Sequence, residues 1–370
     1  MKKIFCIFII FCSCFLGGCF NYNDIDKVIF VTSIIIDVDT NGNPILYVES
    51  FKPERTLNAS AGSSQRILFK GSRKTLFETI RDINMSSSYK LNYTQLRGII
   101  FTEKAAESNL YDYIDYFARD QESVLRSNLL VLNGDPDKFI KTVLKEQEYI
   151  GLFIHDLIKN VSVSSRTIVS SLNDFLNEIY SRQGISIIPM IELKSDQPEP
   201  KIQLTDGAII GNYKMVDTLR LGDELGYNFL TDNIKSGSLE VTNPSSSNNY
   251  VSLEILRSKT KCSIYMDGKN IIVRKKINLK ATVAEAQNRI NLNHDTIEKL
   301  EQEAEKNIKD ACNDVFEKYK LKKLDIFNIG EDFQRKYPKS NIDNPIEQSQ
   351  LQLDVNVNVE GSSDKTNFRS

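Results

Sequence analysis

The chain has 370 residues, more than the roughly 100–200 of one ordinary domain, so two or three domains are expected. Hydrophobic residues make up 41% and charged residues 26%, which supports sizeable cores and excludes wholesale disorder. Lys and Arg number 47 against 49 Asp and Glu, a net charge of −2, so no global basic field draws in nucleic acid or anionic lipid. The two histidines, His155 and His294, are far apart in the chain and leave little room for zinc enzymes or histidine-based triads.

Lys2 and Lys3 precede an almost wholly apolar stretch from Ile4 to Phe15, and Leu16-Gly17-Gly18-Cys19 follows at once. Positive charge, an apolar run of about 7–15 residues and small residues before the cut make a secretory signal, whereas a spanning helix needs roughly 20 apolar residues. Leu16, Gly17 and Gly18 ahead of Cys19 form a lipobox, in which the Cys19 thiol takes diacylglycerol before cleavage makes it the first residue. Two acyl chains tether stably where one binds marginally. The expectation is a chain exported and held at the outer face of a membrane, where ATP-dependent chemistry has no place. Cys6, Cys12 and Cys14 fall in the leader, leaving Cys262 and Cys312, whose spacing does not decide whether they pair.

Beyond the leader, Val28 to Ile36 and Ile45 to Phe51 are β-branched runs flanking Asp39-Thr40-Asn41-Gly42-Asn43. Asn-Gly tolerates positive φ at both central turn positions, which predicts a tight hairpin. Thr75 and Glu78 have capping-box spacing, with Leu76, Ile80 and Ile83 on one helical face. A strand over Ile99 to Phe101, helical spacing from Glu103 to Phe117 and a strand over Leu129 to Leu132 follow. Asp135-Pro136 opens a helix that turns Phe139, Ile140, Val143 and Leu144 inward. Leu172, Phe175, Leu176 and Ile179 mark another helix before the strand Ile185 to Ile188.

After the linker Asp196-Gln197-Pro198-Glu199-Pro200 the pattern shortens to strands. Gly207 to Gly211 and Met215 to Leu219 flank a three-residue turn, Asn212-Tyr213-Lys214. Val251, Leu253 and Ile255 alternate with polar positions, and Asp267-Gly268 turns the chain into a strand whose inner face holds Val273, Ile277, Leu279, Ala281 and Val283. A long amphipathic helix capped by Asp295 turns Ile297, Leu300, Ala304, Ile308, Val315 and Tyr319 inward. Leu351, Leu353, Val355, Val357 and Val359 then alternate with polar residues, the signature of a strand with one wet face.

The patterning predicts a multidomain α+β chain of mixed sheets with packed helices, ending in an antiparallel sheet with one long amphipathic helix. Its expected parts are a lipoprotein signal peptide over 1–18, an α/β domain over 19–197, a small β-rich middle domain over 201–258 and the C-terminal sheet and helix over 259–370. The lipobox, the Ile36-Asp37 hairpin, Gly71-Ser72-Arg73-Lys74-Thr75, Phe117-Ala118-Arg119-Asp120-Gln121-Glu122, Asp206-Gly207-Ala208-Ile209-Ile210-Gly211 and the closing helix and strand occur in that order. This order resembles the C subunit of spore germinant receptors, the GerAC-like lipoproteins, over nearly the whole mature chain. Phe20 and Gln95 depart from the Trp and His common there.

The resemblance implies a non-catalytic three-domain lipoprotein on the inner membrane of a bacterial endospore. It would act as scaffold or coupling element beside an A subunit and a polytopic B subunit, with diacylglycerol on Cys19 and no cofactor. The rival reading is a lipid-anchored solute-binding protein of a transporter.

Other constellations read as structure. Asp37-Val38-Asp39-Thr40-Asn41-Gly42 begins like a calcium loop, but Val48 stands where the bidentate acid belongs and strands replace the flanking helices. Lys74-Thr75 lacks the glycines of a phosphate loop, which excludes nucleotide binding. Arg119, Asp120, Glu122 and Arg126 form a charge cluster with no nucleophile beside it, which reads as an ion-pair network or a partner-facing patch.

Overall fold

The computed structural model describes residues 27–53, 65–119, 125–161, 165, 167–181, 184–194, 199–360 and 367–368. The lipobox through Cys19, Asp120 and Glu122, and residues 196–198 of the linker lie outside the described residues.

Along the chain come β1 (Val28–Val38), β2 (Pro44–Lys52), β3 (Gln65–Ser72), α1 (Leu76–Met85), β4 (Lys90–Asn92), β5 (Gly98–Thr102), α2 (Glu103–Glu107), α3 (Tyr111–Arg119) and β6 (Asn128–Asn133). They continue with α4 (Pro136–Lys141), α5 (Ile150–Val161), α6 (Leu172–Ser181), β7 (Ile185–Lys194), β8 (Lys201–Gly211) and β9 (Lys214–Leu219). These strands form one sheet in the order β3-β2-β1-β5-β6-β7-β8-β9, with β4 beside β1. Strands β1, β5, β6 and β7 run parallel, and antiparallel pairs close both sides. Ile34 and Ile36 face one core with α1, α2, α3 and α6, while Ile35 faces a second core with α4 and α5. Burial on both faces explains why these strands read as continuous apolar runs.

Local signals act where they were read. Thr75 accepts the Glu78 N–H at 3.2 Å and Asp135 accepts the Asp137 N–H at 2.8 Å, each capping its helix. The β1–β2 hairpin forms, but its loop takes positive φ at Gly42 and not at Asn41. The Asp39 carboxylate accepts the N–H groups of Asn41 and Asn43 at 2.8 Å each and the Asn43 side-chain amide at 3.0 Å, so the loop consumes it. At β8–β9 the turn has two residues rather than three, Asn212 and Tyr213, both at positive φ. Helix α4 ends at Lys141, which leaves Val143 exposed rather than inward.

The second half comprises α7 (Glu224–Leu230), β10 (Gly237–Asn243), β11 (Ser246–Asp267), β12 (Asn270–Ala286), β13 (Ile290–Asn291), α8 (His294–Leu321), α9 (Ile329–Lys336), β14 (Ser349–Val359) and β15 (Asn367–Phe368). A sheet β10-β11-β12-β14 carries α8 across its inner face, and β13 pairs with β15. Strand β14 has the expected wet face, with Val355, Val357 and Val359 buried and Leu351 and Leu353 half-buried. It lies parallel to β12, however, so this sheet is mixed rather than antiparallel. The reason is the connection: α8 crosses between β12 and β14, as a parallel pair requires. Helix α8 is capped by Asn293, whose side chain accepts the Thr296 N–H at 2.9 Å, two residues before the expected Asp295.

Segment 201–258, expected as a middle domain, is divided between the sheets: β8 and β9 extend the first, and β10 and the start of β11 begin the second. Ile187 and Ile209 of the first sheet enter the core of the second, so the halves share apolar contact.

Glu49 on β2 is fully buried. Its carboxylate takes Arg66 in a 2.6 Å ion pair, the hydroxyls of Thr32 and Ser33 at 2.7 and 3.0 Å, and the Ile150 and Gly151 N–H groups at 2.9 and 3.0 Å. Arg66 also donates to the carbonyls of Ile140 and Thr142 at the end of α4. A side chain at Gly151 would place its Cβ 2.1 Å from the Thr32 carbonyl oxygen. Breaking a buried pair from one side costs about 3–5 kcal/mol. Glu49→Ala is expected to lose that much in urea unfolding, Glu49→Gln less, and Gly151→Ala to destabilise by backbone displacement. Equal stability of Glu49→Ala and the parent chain would refute the assignment.

Candidate functional site

Helix α6 begins with a reciprocal cap in which the Asp174 carboxylate accepts the Ser171 hydroxyl at 2.6 Å and the Ser171 oxygen accepts the Asp174 N–H at 3.1 Å. One turn on, Glu178 accepts the Ser186 hydroxyl at 2.6 Å and so ties α6 to β7. Across from them, the buried Asn228 of α7 donates to the carbonyls of Ser165 and Thr167 at 2.9 and 3.2 Å. Between these elements lies a cleft of about 480 Å³, lined by Asp174, Asn177, Glu178, Tyr227, Asn228 and Lys235 among others. It sits where the two halves meet. Its acids, amides and lysine suit a polar ligand or peptide segment, and among the described residues no nucleophile–base pair is assembled in it.

A second polar island lies under the C-terminal sheet. Lys275 is 5% exposed and occupies the inner face of β12 between Val273 and Ile277. Cys262 stands directly opposite on β11. Although Cys262 is exposed as a residue, the thiol is partly desolvated, which pushes it up against the opposing pull of the lysine. The buried Asp325 accepts the Phe327, Ile329 and Gly330 N–H groups at 3.2, 3.1 and 2.5 Å at the start of α9. Burial raises its pKa, offset by those amides and by Lys275. A cavity of about 170 Å³ adjoins this island, with Asn328 at positive φ and its side-chain oxygen unpartnered. The sequence carried one signal of it, a lysine interrupting an apolar face.

The residues singled out from sequence are dispersed. Arg119 ends α3 in a 2.8 Å pair with Asp115, and Arg126 is exposed ahead of β6. His155 lies within α5. Cys262 and Cys312 are both free, and burial in α8 pushes the Cys312 thiol up to about 12. Among the described residues no cluster of His, Cys, Asp and Glu could hold a metal ion, and no helix is long and apolar enough to cross a membrane.

Comparison with known proteins matches residues 21–193 to the spore germination protein N-terminal domain and residues 205–363 to the spore germination B3/GerAC-like C-terminal domain. Spore germination protein GerQC of Bacillus cereus is 26% identical over 318 residues, covering 85% of each chain. The crystal structure of the GerBC protein superposes with a TM-score of 0.57 at 17% identity, over 88% of this chain and 96% of that one.

The seam between the halves holds a titratable group. Helix α7 packs on α8 so closely that a Cβ at Gly226 would lie 2.2 Å from the Ala311 carbonyl oxygen. Tyr319 donates to the Thr218 carbonyl at 2.8 Å, Lys318 pairs with Asp223 at 2.5 Å and Lys322 pairs with Asp217. Beneath them Glu224 is 1% exposed, with one oxygen accepting the Gly222 N–H at 2.6 Å and the other unpartnered. Burial, with Asp206 and Asp223 nearby, pushes it up to about 7 from the ordinary 4.5. Because the folded value is the higher, stability is full below the unfolded value, falls as pH rises toward 7 and stays reduced above. Glu224→Gln is expected to remove this decline and to gain roughly 3 kcal/mol at alkaline pH. Thermal unfolding of both chains across that range checks it, and parallel pH profiles would refute it.

Proposed function

The chain belongs to the spore germination B3/GerAC-like family, and from that premise we propose that it is a lipid-anchored subunit of a spore nutrient germinant receptor. The observation that carries the proposal is the order of the two family matches behind the lipobox: Cys19 stands two residues ahead of the first matched residue. Diacylglycerol on Cys19 would hold the subunit at the outer face of the spore inner membrane. Confinement to that surface raises its effective concentration near membrane partners, the A and B subunits of the receptor.

Its role on this reading is scaffolding or coupling rather than catalysis. The deeply buried acids support this, since Glu49 and Asp325 spend their oxygens on backbone N–H groups and Glu224 spends one of its two. Oxygens so committed are not available as acids or bases, and the remaining oxygen of Glu224 is closed off from solvent. The interlocked seam of α7, α8 and β9 suits an element that transmits displacement between its two halves.

Cys19→Ala is expected to abolish lipid attachment and cleavage at that site, read by mass spectrometry of the mature N-terminus. An unmodified parent chain beginning elsewhere would remove the anchoring proposal. Truncation after Pro345 deletes β14 and with it the buried Val355, Val357 and Val359, each worth about 1.5–3 kcal/mol against a total of roughly 5–15 kcal/mol. In spores it should abolish the nutrient response while germination by routes bypassing the receptor survives. Normal abundance with a normal nutrient response would refute the coupling role.

A further inference from the structure

The wet face of the C-terminal sheet is electrostatically frustrated. In the β11–β12 register Arg257 lies directly opposite Lys280, Lys261 opposite Lys276, and Ser263 opposite Arg274. Like charges directly across a strand pair destabilise it. All of these side chains alternate with the buried Thr260, Ile264, Val273 and Ile277, and so point away from the core. With Lys259, six cations gather on the half of the face nearest the hairpin tip.

Among the described residues, three carboxylates meet them. Asp354 reaches Lys276 at 3.3 Å and Arg274 at 3.9 Å, Glu360 reaches Lys280 at 2.7 Å, and Asp232 pairs with Lys259 at the sheet edge. Neither Arg257 nor Lys261 has an ion-pair partner among the described residues. Of the remaining acids of the sheet, Glu240, Glu254 and Glu285 lie at its other end, and Asp267 stands at the hairpin turn itself. Near the hairpin tip Tyr265, on the same face as the cations, is exposed.

We infer that this face binds the anionic headgroups of the membrane to which the chain is tethered. The inference rests on the anchoring proposed above: Cys19 lies eight residues before Lys27, a reach of about 28 Å at full extension, so a lipid surface is the polyanion always at hand. A broad sheet face offers many separate cations rather than a groove, which matches a surface of headgroups. An exposed Tyr at its margin suits the interfacial layer. Each lysine near an anionic bilayer multiplies partitioning about fivefold, and the effect fades with salt. The repulsion between Lys261 and Lys276 is the stability cost of keeping the face cationic.

The test uses a chain beginning at Phe20, which retains every described residue and lacks the anchor. It is co-sedimented with vesicles of phosphatidylcholine, with and without phosphatidylglycerol. Binding to the anionic vesicles alone, lost at high salt, is expected. Lys261→Glu should weaken that binding at least tenfold while raising the melting temperature, because it turns a repulsive cross-strand pair into an attractive one. Lys299→Glu, on the exposed side of α8, makes the same charge change elsewhere and should leave binding within about threefold. Equal binding to both vesicle types, or equal loss in the two variants, would overturn the inference. So would capture of polyglutamate without vesicle binding, which would reassign the face to an acidic protein. None of these outcomes depends on lipidation of Cys19, which mass spectrometry decides separately.

Discussion

A carboxylate buried as an ion must be met by donors, or it keeps its proton or costs stability. Glu49 is such a group, and the strands and helices around it are placed by that requirement. Its two oxygens draw together β1 through Thr32 and Ser33, β3 through Arg66 and the start of α5 through two amides. Arg66, held by the same charge, fixes the end of α4. One side chain thus aligns an edge of the sheet with both helices covering its second face. The close approach it enforces leaves no room for a Cβ at residue 151.

The second half depends on a different constraint, the seating of α8. Its inner side fills the core of the C-terminal sheet, and its last turns grip β9 and α7 through Tyr319, Lys318 and Lys322. Its first half also reaches the free edge of β14, where Glu301 and Glu305 accept the Val359 and Val357 N–H groups at 2.8 and 3.2 Å. Acceptors on a helix thereby satisfy strand donors that would otherwise be open to another chain. The same helix thus holds both the closing strand and the seam.

Much of the fold was legible because its signals are local. The Thr75 and Asp135 caps, the Gly42 loop and the alternation of Leu351 to Val359 each involve residues within a few positions of one another, and each forms where expected. Helix α5 was not legible as a helix. Its start carries no capping residue of its own, because the acceptor for its first amides is Glu49, about a hundred residues earlier. Lys275 was visible as an interruption of an apolar face but not as a buried group, since its neighbours Cys262 and Asp325 come from another strand and the start of a helix.

The charge balance separates the two kinds of information most clearly. By itself the sequence determined the leader pattern ending at Cys19, the α+β class, the caps and turns, and a net charge of −2, which gives no hint of a basic surface. Only the tertiary structure decided where those charges stand. The β11–β12 register sets Arg257 against Lys280 and Lys261 against Lys276 while Glu240 and Glu254 fall at the far end of the face. The parallel seating of β14, and the division of residues 201–258 between two sheets, were settled at the same level. The physical reason is common to all of them. Periodicity and capping are properties of neighbours in the chain, whereas register, strand direction and the burial of a charge depend on groups that meet only once the chain has folded.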